Sequence, residues 1–221
     1  MQGESGELAV IARAFGCGEG LARTIAALGR GSEFARAQLL YPLPGRDETS
    51  LLTAGQAHEV AYGRDGAVLV LHLVGPGEFY GSLVGLGDGA GPAQVEALRD
   101  GRALHYGGEA VLRLMESYAC VAVAVTRQLG TRLAAMRQRM VETSLLSATG
   151  RICAELRRLA AGADDGVIRP MPVLAELAQR VQSTRETVSR TVSQLERRGI
   201  LRRGDGGLAV IAPHRLDELI Y

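Results

Sequence analysis

Apolar positions recur with a helical period in two short runs near the end of the chain. They are Leu174, Leu177 and Val181 in the first run and Val188, Val192 and Leu195 in the second. Spacings of three and four residues place each set on one face of a helix. Only Gln182 and Ser183 remain for the turn between them. The pattern therefore predicts a helix-turn-helix.

The second of these helices has a polar face that begins in its first turn. Ser183 precedes Glu186 by three residues, which is the spacing of a capping box and predicts a helix that starts at Thr184. The residues on its remaining surface are Arg185, Glu186, Ser189 and Arg190. A buried helical hairpin is the alternative, but charged groups on a capped helix favour contact with nucleic acid.

Two short strands are predicted after this helix. Gly199 stands at the position where a helix commonly ends. The apolar segments 200–201 and 208–211 flank the glycine-rich segment 204–207, a pattern typical of a hairpin. The last fifty residues are therefore predicted to form a winged helix-turn-helix.

The first half of the chain has a different pattern, with short apolar runs broken by Gly, Pro and Asp between residues 35 and 106. Segments 59–62 and 68–74 flank Asp65-Gly66 and predict a hairpin, and segment 75–81 predicts another sharp turn. Several short strands at such spacing indicate a β-roll or jelly roll. A helical lead-in, up to about Ser32, is expected before it.

Helices are predicted between the two halves, a short one over 108–116 and a long one over 117–141. The apolar stripe of the long helix consists of Val125, Leu129, Leu133, Met136 and Met140. Such a stripe is typical of a coiled-coil seam, which we expect to face the same helix of a second copy. The next helix is predicted over 143–161 and an edge strand over 167–171. Within that helix Arg151 is expected to point outward, and Gly150 predicts close packing, because glycine there costs about 1 kcal/mol relative to alanine.

Charge divides the chain in the same way. Residues 1–116 contain 9 Arg and 14 Asp or Glu, a net charge of −5, whereas residues 117–221 contain 16 Arg and 10 Asp or Glu, a net charge of +6. A basic second half fits a polyanionic partner, while the first half is not expected to bind one.

No enzymatic or metal-binding constellation is visible. The four histidines are scattered, and Cys17, Cys120 and Cys153 lie far apart without metal-ligand spacing. Cys17 lies between two glycines, where an ordinary loop thiol is favoured over a redox or haem ligand. No apolar run spans a membrane and no secretion signal is visible, so a reduced, cytoplasmic setting is expected.

Several of these motifs together resemble the CRP/FNR superfamily of bacterial transcription regulators. They are Thr149-Gly150-Arg151-Ile152, Glu176-Leu177-Ala178, the segment from Arg185 to Arg190, and Leu195-Glu196 with Gly199-Ile200. The resemblance implies an α+β fold with a cyclic-nucleotide-type β-roll over 1–116, a dimerisation helix over 117–142 and a winged helix-turn-helix over 143–221.

The resemblance also implies how DNA is bound. Arg185 and Arg190 correspond to residues that contact guanine, and Glu186 to one that contacts cytosine, so a palindromic TGTGA-like site is expected. The candidates for phosphate contacts are Ser183, Thr184, Ser189, Arg202 and Arg203. The implied partners are double-stranded DNA, a second copy of the chain and RNA polymerase.

Binding of cyclic AMP, in contrast, is not expected. Ser82, Pro92 and Ala93 occupy the positions where nucleotide-binding relatives have a ribose-binding Glu and a phosphate-binding Arg followed by Ser or Thr. Met136 and Arg137 replace the polar residues that contact adenine. Arg99 and Arg102 follow downstream, where solvated strand-end charges are favoured over anion ligands, and alternating glycines at 85–91 are favoured as a degenerate pocket loop over a phosphate cradle.

Three functions remain open at this point. The first is a regulator with a vestigial sensor domain, which binds DNA without a ligand. The second is a regulator gated by another effector, such as a different nucleotide, cyclic di-GMP or an apolar molecule. The third is a protein-binding dimer with an idle helix-turn-helix.

Overall fold

This computed structural model describes residues 2–42, 48–63, 68–82, 93–107, 109–163, 165–204 and 206–220. Tertiary contacts divide the chain into two compact units, and the division falls between Ala134 and Ala135 inside one long helix. The fold is mixed, with an antiparallel sheet in the first unit and a helix-turn-helix in the second.

The first unit begins with two helices and continues with strands. Its elements are α1 (Gln2–Phe15), α2 (Glu19–Leu28), β1 (Arg30–Phe34), β2 (Leu39–Tyr41), β3 (Glu48–Tyr62), β4 (Val68–Val74), β5 (Phe79–Gly81), β6 (Ala93–Gly107), α3 (Ala110–Ser117) and the first part of α4 (Ala119–Leu145). The described strands form one antiparallel sheet in the order β1-β6-β3-β4, with β2 on β6 and β5 on β3. This is the β-roll that the sequence predicts, and the lead-in is a pair of helices.

The core of this unit is built where the long strands β3 and β6 face the helices. Leu51 pairs with Leu104 on β6 and with Phe79 on β5, and all three side chains are buried. Ile11 of α1 and Ile25 of α2 belong to the same cluster. The predicted hairpin is present, since β3 and β4 pair from Ala57–Val74 to Tyr62–Val68, but Asp65-Gly66 lies outside the described residues.

Glycine is required where β3 and β6 approach each other most closely. Gly55 has a φ of +87°, and a Cβ on Gly101 would lie 2.2 Å from the Ala54 carbonyl oxygen. The register of β3 against β6 shifts at Ala54, so the two glycines allow the strands to bend at this irregularity.

The second unit contains the rest of α4 and the C-terminal elements. These are α5 (Ala148–Ala161), β7 (Val167–Ile168), α6 (Leu174–Arg180), α7 (Arg185–Arg197), β8 (Leu201–Gly204), β9 (Gly207–Val210) and α8 (Pro213–Asp217). Strands β8 and β9 form the predicted wing. The predicted edge strand is present as β7, which pairs with β9 but covers only 167–168 of the expected 167–171. The core cluster includes Ile152, Leu156, Leu177, Val192 and Leu195.

The boundary between α4 and α5 differs from the prediction. Residues 143–145 belong to α4, and α5 begins at Ala148 because the Ser147 hydroxyl accepts a hydrogen bond from the Gly150 N–H at 3.0 Å. Close packing at Gly150 is confirmed, since a Cβ there would lie 2.6 Å from the Ile220 carbonyl oxygen.

Candidate nucleic-acid interface

The cap of α7 lies one residue later than predicted. Thr184 is the N-cap, and its hydroxyl accepts a hydrogen bond from the Thr187 N–H at 3.2 Å. Ser183 instead belongs to the turn, where its own N–H donates to the Ala178 carbonyl at 3.0 Å. Gln182 has a φ of +50°, which is uncommon for a residue with a side chain and reverses the chain direction. The prediction of Ser183 as the cap was therefore wrong.

The face of α7 opposite its core is polar and exposed. One face of α7 is buried inside the second unit and consists of Val188, Thr191, Val192 and Leu195. On the other face, Arg185, Glu186 and Arg190 are exposed. Thr184 is also exposed, and Ser183 and Ser189 are half-buried. Gln194 and Arg197 continue the exposed face, at four and seven residues after Arg190. The same helical spacing identifies these two residues, which the sequence analysis did not include.

Glu186 is held in its ionised form. Its own backbone N–H and then the Thr184 hydroxyl donate hydrogen bonds to the carboxylate, and these contacts lower the pKa of Glu186 below its usual value. Negative charge is favoured in the first turn of a helix for the same reason. Glu186 is consequently an exposed hydrogen-bond acceptor between the donors Arg185 and Arg190, which suits the edges of bases in a major groove.

The two arginines of the wing differ in their surroundings. Arg203 Nε lies 2.6 Å from Glu196 Oε1 of α7. Arg202 is exposed, and consecutive residues of a strand point to opposite faces. Arg202 is thus the better candidate for a phosphate contact.

Arg151 does not point freely outward as predicted. Its guanidinium donates to three backbone carbonyls, those of Val181 at 2.8 Å, Gln182 at 3.1 Å and Leu146 at 2.9 Å. Two of these belong to the turn between α6 and α7. In the sequence this residue resembles an ordinary surface arginine. Its contacts form only because the fold brings the turn between α6 and α7 next to it.

A group of ion pairs joins α4, α5 and α6 beside this turn. Arg158 contacts Glu155 and lies 2.6 Å from Glu142, while Arg180 lies 3.4 Å from Glu155. Both carboxylates are nearly inaccessible to solvent. Buried charges are tolerated when they are paired, and these pairs hold the first helix of the helix-turn-helix to its neighbours.

The apolar stripe of α4 is exposed over most of its predicted length. The exposed fractions are 37% for Leu129, 60% for Leu133, 54% for Met136 and 73% for Met140. Val125 was predicted in the same stripe, but it is only 1% exposed and packs in the core of the first unit. The exposed part of the stripe therefore begins after Val125, at Leu129.

The residues predicted to form a degenerate ligand pocket are only partly described. Ser82 is half-buried, and its carbonyl accepts a hydrogen bond from the Thr49 hydroxyl. Ala93 begins β6, and Met136 and Arg137 are both exposed. Pro92 and the glycines at 85–91 lie outside the described residues. Arg102 Nε lies 3.0 Å from Glu7 Oε2, so Arg102 is part of an ion pair, whereas Arg99 is exposed.

Other candidate groups have structural roles. His72 Nε2 is buried and lies 3.4 Å from Glu78 Oε1, but the described residues give this nitrogen no hydrogen bond, so the strand histidine is not fully satisfied. Within the described ranges, no three His, Cys, Asp or Glu side chains are placed to hold a metal ion. Among the helices of the same residues, none combines the length and the apolar character needed to cross a membrane.

Comparison with known proteins agrees with this arrangement. The model of the Crp-like helix-turn-helix domain family matches residues 150–219. The cyclic AMP receptor protein of Thermus thermophilus is 31% identical over 156 residues, which cover 68% of this chain and 69% of that protein. The chain belongs to the CRP/FNR family.

A second relative of this CRP/FNR protein is the transcriptional regulator SdrP of Thermus thermophilus, 28% identical over 82% of this chain and 89% of the relative. A solved structure of a CooA mutant from Carboxydothermus hydrogenoformans has the same fold, with a TM-score of 0.77 over 90% of each chain at 16% identity. The protein is thus a transcription regulator of the CRP/FNR family with a DNA-binding helix-turn-helix.

Proposed function

We propose that this protein binds a palindromic, TGTGA-like site in double-stranded DNA as a homodimer and does so without cyclic AMP. The observation that carries the proposal is the exposed set Arg185, Glu186 and Arg190 on a capped helix whose other face is buried. Two bidentate donors flank one acceptor, and this combination suits two guanines and a cytosine.

The exposed stripe from Leu129 to Met140 supports the homodimer. Four large apolar side chains follow one another at spacings of four, three and four residues on one helix. This is the a/d pattern by which two helices pack knobs into holes. A second copy of the same helix would cover the stripe, and a two-fold symmetric protein explains a palindromic site.

Independence from cyclic AMP is supported by the residues that replace nucleotide ligands. The Met136 thioether is at most a weak hydrogen-bond acceptor, and Ser82 takes the place of a carboxylate. RNA polymerase is the further partner that we propose, with the cytoplasm as the place of action.

Selection of bound sequences from random duplex DNA, with ligand-free protein, tests the proposal. We expect enrichment of a two-fold symmetric site that contains GTG in each half. Arg190→Ala should lose about 1–3 kcal/mol of specific binding and relax one base position. Equal losses on specific and random DNA would contradict the assignment of Arg190 to a base.

The role of nucleotides is tested by the operator affinity with and without cyclic AMP, cyclic GMP or cyclic di-GMP. Unchanged affinity is the expected result. A large increase in operator affinity with one of these nucleotides would show that the protein is gated by that nucleotide. Failure to bind any DNA, at low salt and with each nucleotide, would favour a protein-binding dimer.

A further inference from the structure

Arg151 contacts the backbone at the point where the helix-turn-helix reverses direction. Nε and Nη2 donate to Val181 and Gln182 of the turn, and Nη1 donates to Leu146 before α5. One planar group therefore joins the turn to the start of α5. The geometry of a guanidinium, with donors in a fixed fork, makes these three contacts possible at once.

The turn has two features that require support. Val181 is the C-cap of α6, where helix carbonyls have no partner within the helix and attract positive charge. Gln182 has left-handed backbone geometry, which persists in a non-glycine residue only when its surroundings hold it. Arg151 supplies both a charge and hydrogen bonds at these residues.

Two carboxylates near the turn pair with other arginines. Glu142 and Glu155 pair with Arg158 and Arg180, as described above. Arg180 holds α6 to α5, but it does not contact the turn through any hydrogen bond found among the described residues. Arg151 donates to both the Val181 and the Gln182 carbonyls.

We propose that Arg151 is a positioning residue for sequence recognition, which fixes the turn and so sets the direction in which α7 presents Arg185, Glu186 and Arg190. The inference rests on the proposed sequence-specific DNA binding. Bidentate contacts to base edges require precise placement, whereas contacts to phosphates tolerate small displacements. Loss of Arg151 should consequently weaken specific binding more than random binding.

The test uses the full-length chain with Arg151→Met and Arg151→Lys, and Arg157→Met as the control. Arg157 lies on the same helix and makes a surface ion pair with Asp217. We expect both Arg151 variants to lose roughly tenfold or more in affinity for the selected site, while random binding and the salt slope stay unchanged. Lysine should not restore binding, because one ammonium group cannot span the three carbonyls.

Hydrogen exchange provides a second measurement. The Ser183 N–H of the turn donates to the Ala178 carbonyl of α6. This amide hydrogen should exchange faster with solvent in both variants, while amides inside α5 remain protected. All binding is measured well below each variant's melting temperature, and Arg151→Lys serves if Arg151→Met does not fold.

Three results would overturn the inference. The first is an equal loss on specific and random DNA with a salt slope reduced by about 0.9 for each subunit, which would assign Arg151 to a phosphate. The second is unchanged specificity together with a lower melting temperature. The third is full rescue by lysine. Wild-type protein without any sequence preference would instead contradict the proposed function itself.

Discussion

Glu196 of α7 and Arg203 of the wing form an ion pair, with Arg203 Nε 2.6 Å from Glu196 Oε1. The pair joins the two elements of the second unit that carry the candidate DNA contacts. Because Arg203 already has a carboxylate partner, Arg202 is the wing arginine with its charge directed to solvent.

The two wing arginines should therefore differ in their salt dependence. We expect Arg202→Ala to reduce the slope of log affinity against log salt by about 0.9 for each subunit, through the loss of one phosphate contact. Arg203→Ala should reduce it less, since Glu196 neutralises that side chain in the free protein. If Arg202→Ala and wild type had equal salt slopes, Arg202 would not contact a phosphate.

The apolar stripe of α4 predicts that a single charge prevents dimerisation. Leu133→Glu should raise the dimer dissociation constant at least roughly thirtyfold, equivalent to about 2 kcal/mol, because a carboxylate would be buried in the seam. Sedimentation equilibrium measures this constant. Ala135→Glu is the control, since Ala135 is exposed on the same helix about 200° away from Leu133. An equal effect of both variants would argue against the stripe.

The position of the helix cap leads to a stability prediction. Thr184→Ala should lower the free energy of unfolding by about 0.5–2 kcal/mol, because the Thr187 N–H loses its acceptor. Ser183→Ala should have little effect, as only its backbone N–H takes part in the turn. Urea denaturation of both variants measures the difference. A larger loss of unfolding free energy for Ser183→Ala than for Thr184→Ala would instead support Ser183 as the cap, as the sequence predicts.

Cys153 predicts a fall in stability at high pH. Burial raises the pKa of its thiol from 9.0 to about 11, against a smaller opposite effect of Arg198. Below pH 9.0 the thiol is protonated in both the folded and the unfolded state, so it adds no pH dependence to the free energy of unfolding. As pH rises from 9.0 toward 11, the unfolded state loses its proton first, so stability declines.

Denaturation in urea with a reducing agent, at pH 8 and about pH 10.5, measures this decline. Cys153→Ala lacks the thiol and should lose less stability between the two pH values than wild type. An identical change in both proteins would show that other groups, such as the tyrosines, account for it.

Helical periodicity predicted the helix-turn-helix because each helix has one buried face. It did not place the cap correctly, since Ser183 and Thr184 are both suitable side chains. The choice depends on the left-handed geometry of Gln182, which extends the turn by one residue. A pattern of side chains contains no direct information about that backbone angle.

Tertiary contacts explain the other differences. The run from Ala119 to Val125 is nearly all apolar. Its pattern therefore cannot show which residues pack in the core of the chain and which would face a second copy. Val125 lies in that core. Two of the three carbonyls that Arg151 contacts lie about thirty residues away, so the residues near Arg151 in the sequence do not indicate its contacts to the turn.

The ion pairs of Glu142 and Glu155 have a practical consequence for handling the protein. Nearly buried charges are screened weakly by dissolved ions, whereas exposed arginines on the proposed DNA-binding face are screened strongly. Concentrated salt should release nucleic acid carried over from the cell while the C-terminal domain stays folded, so a high-salt wash is suited to purification.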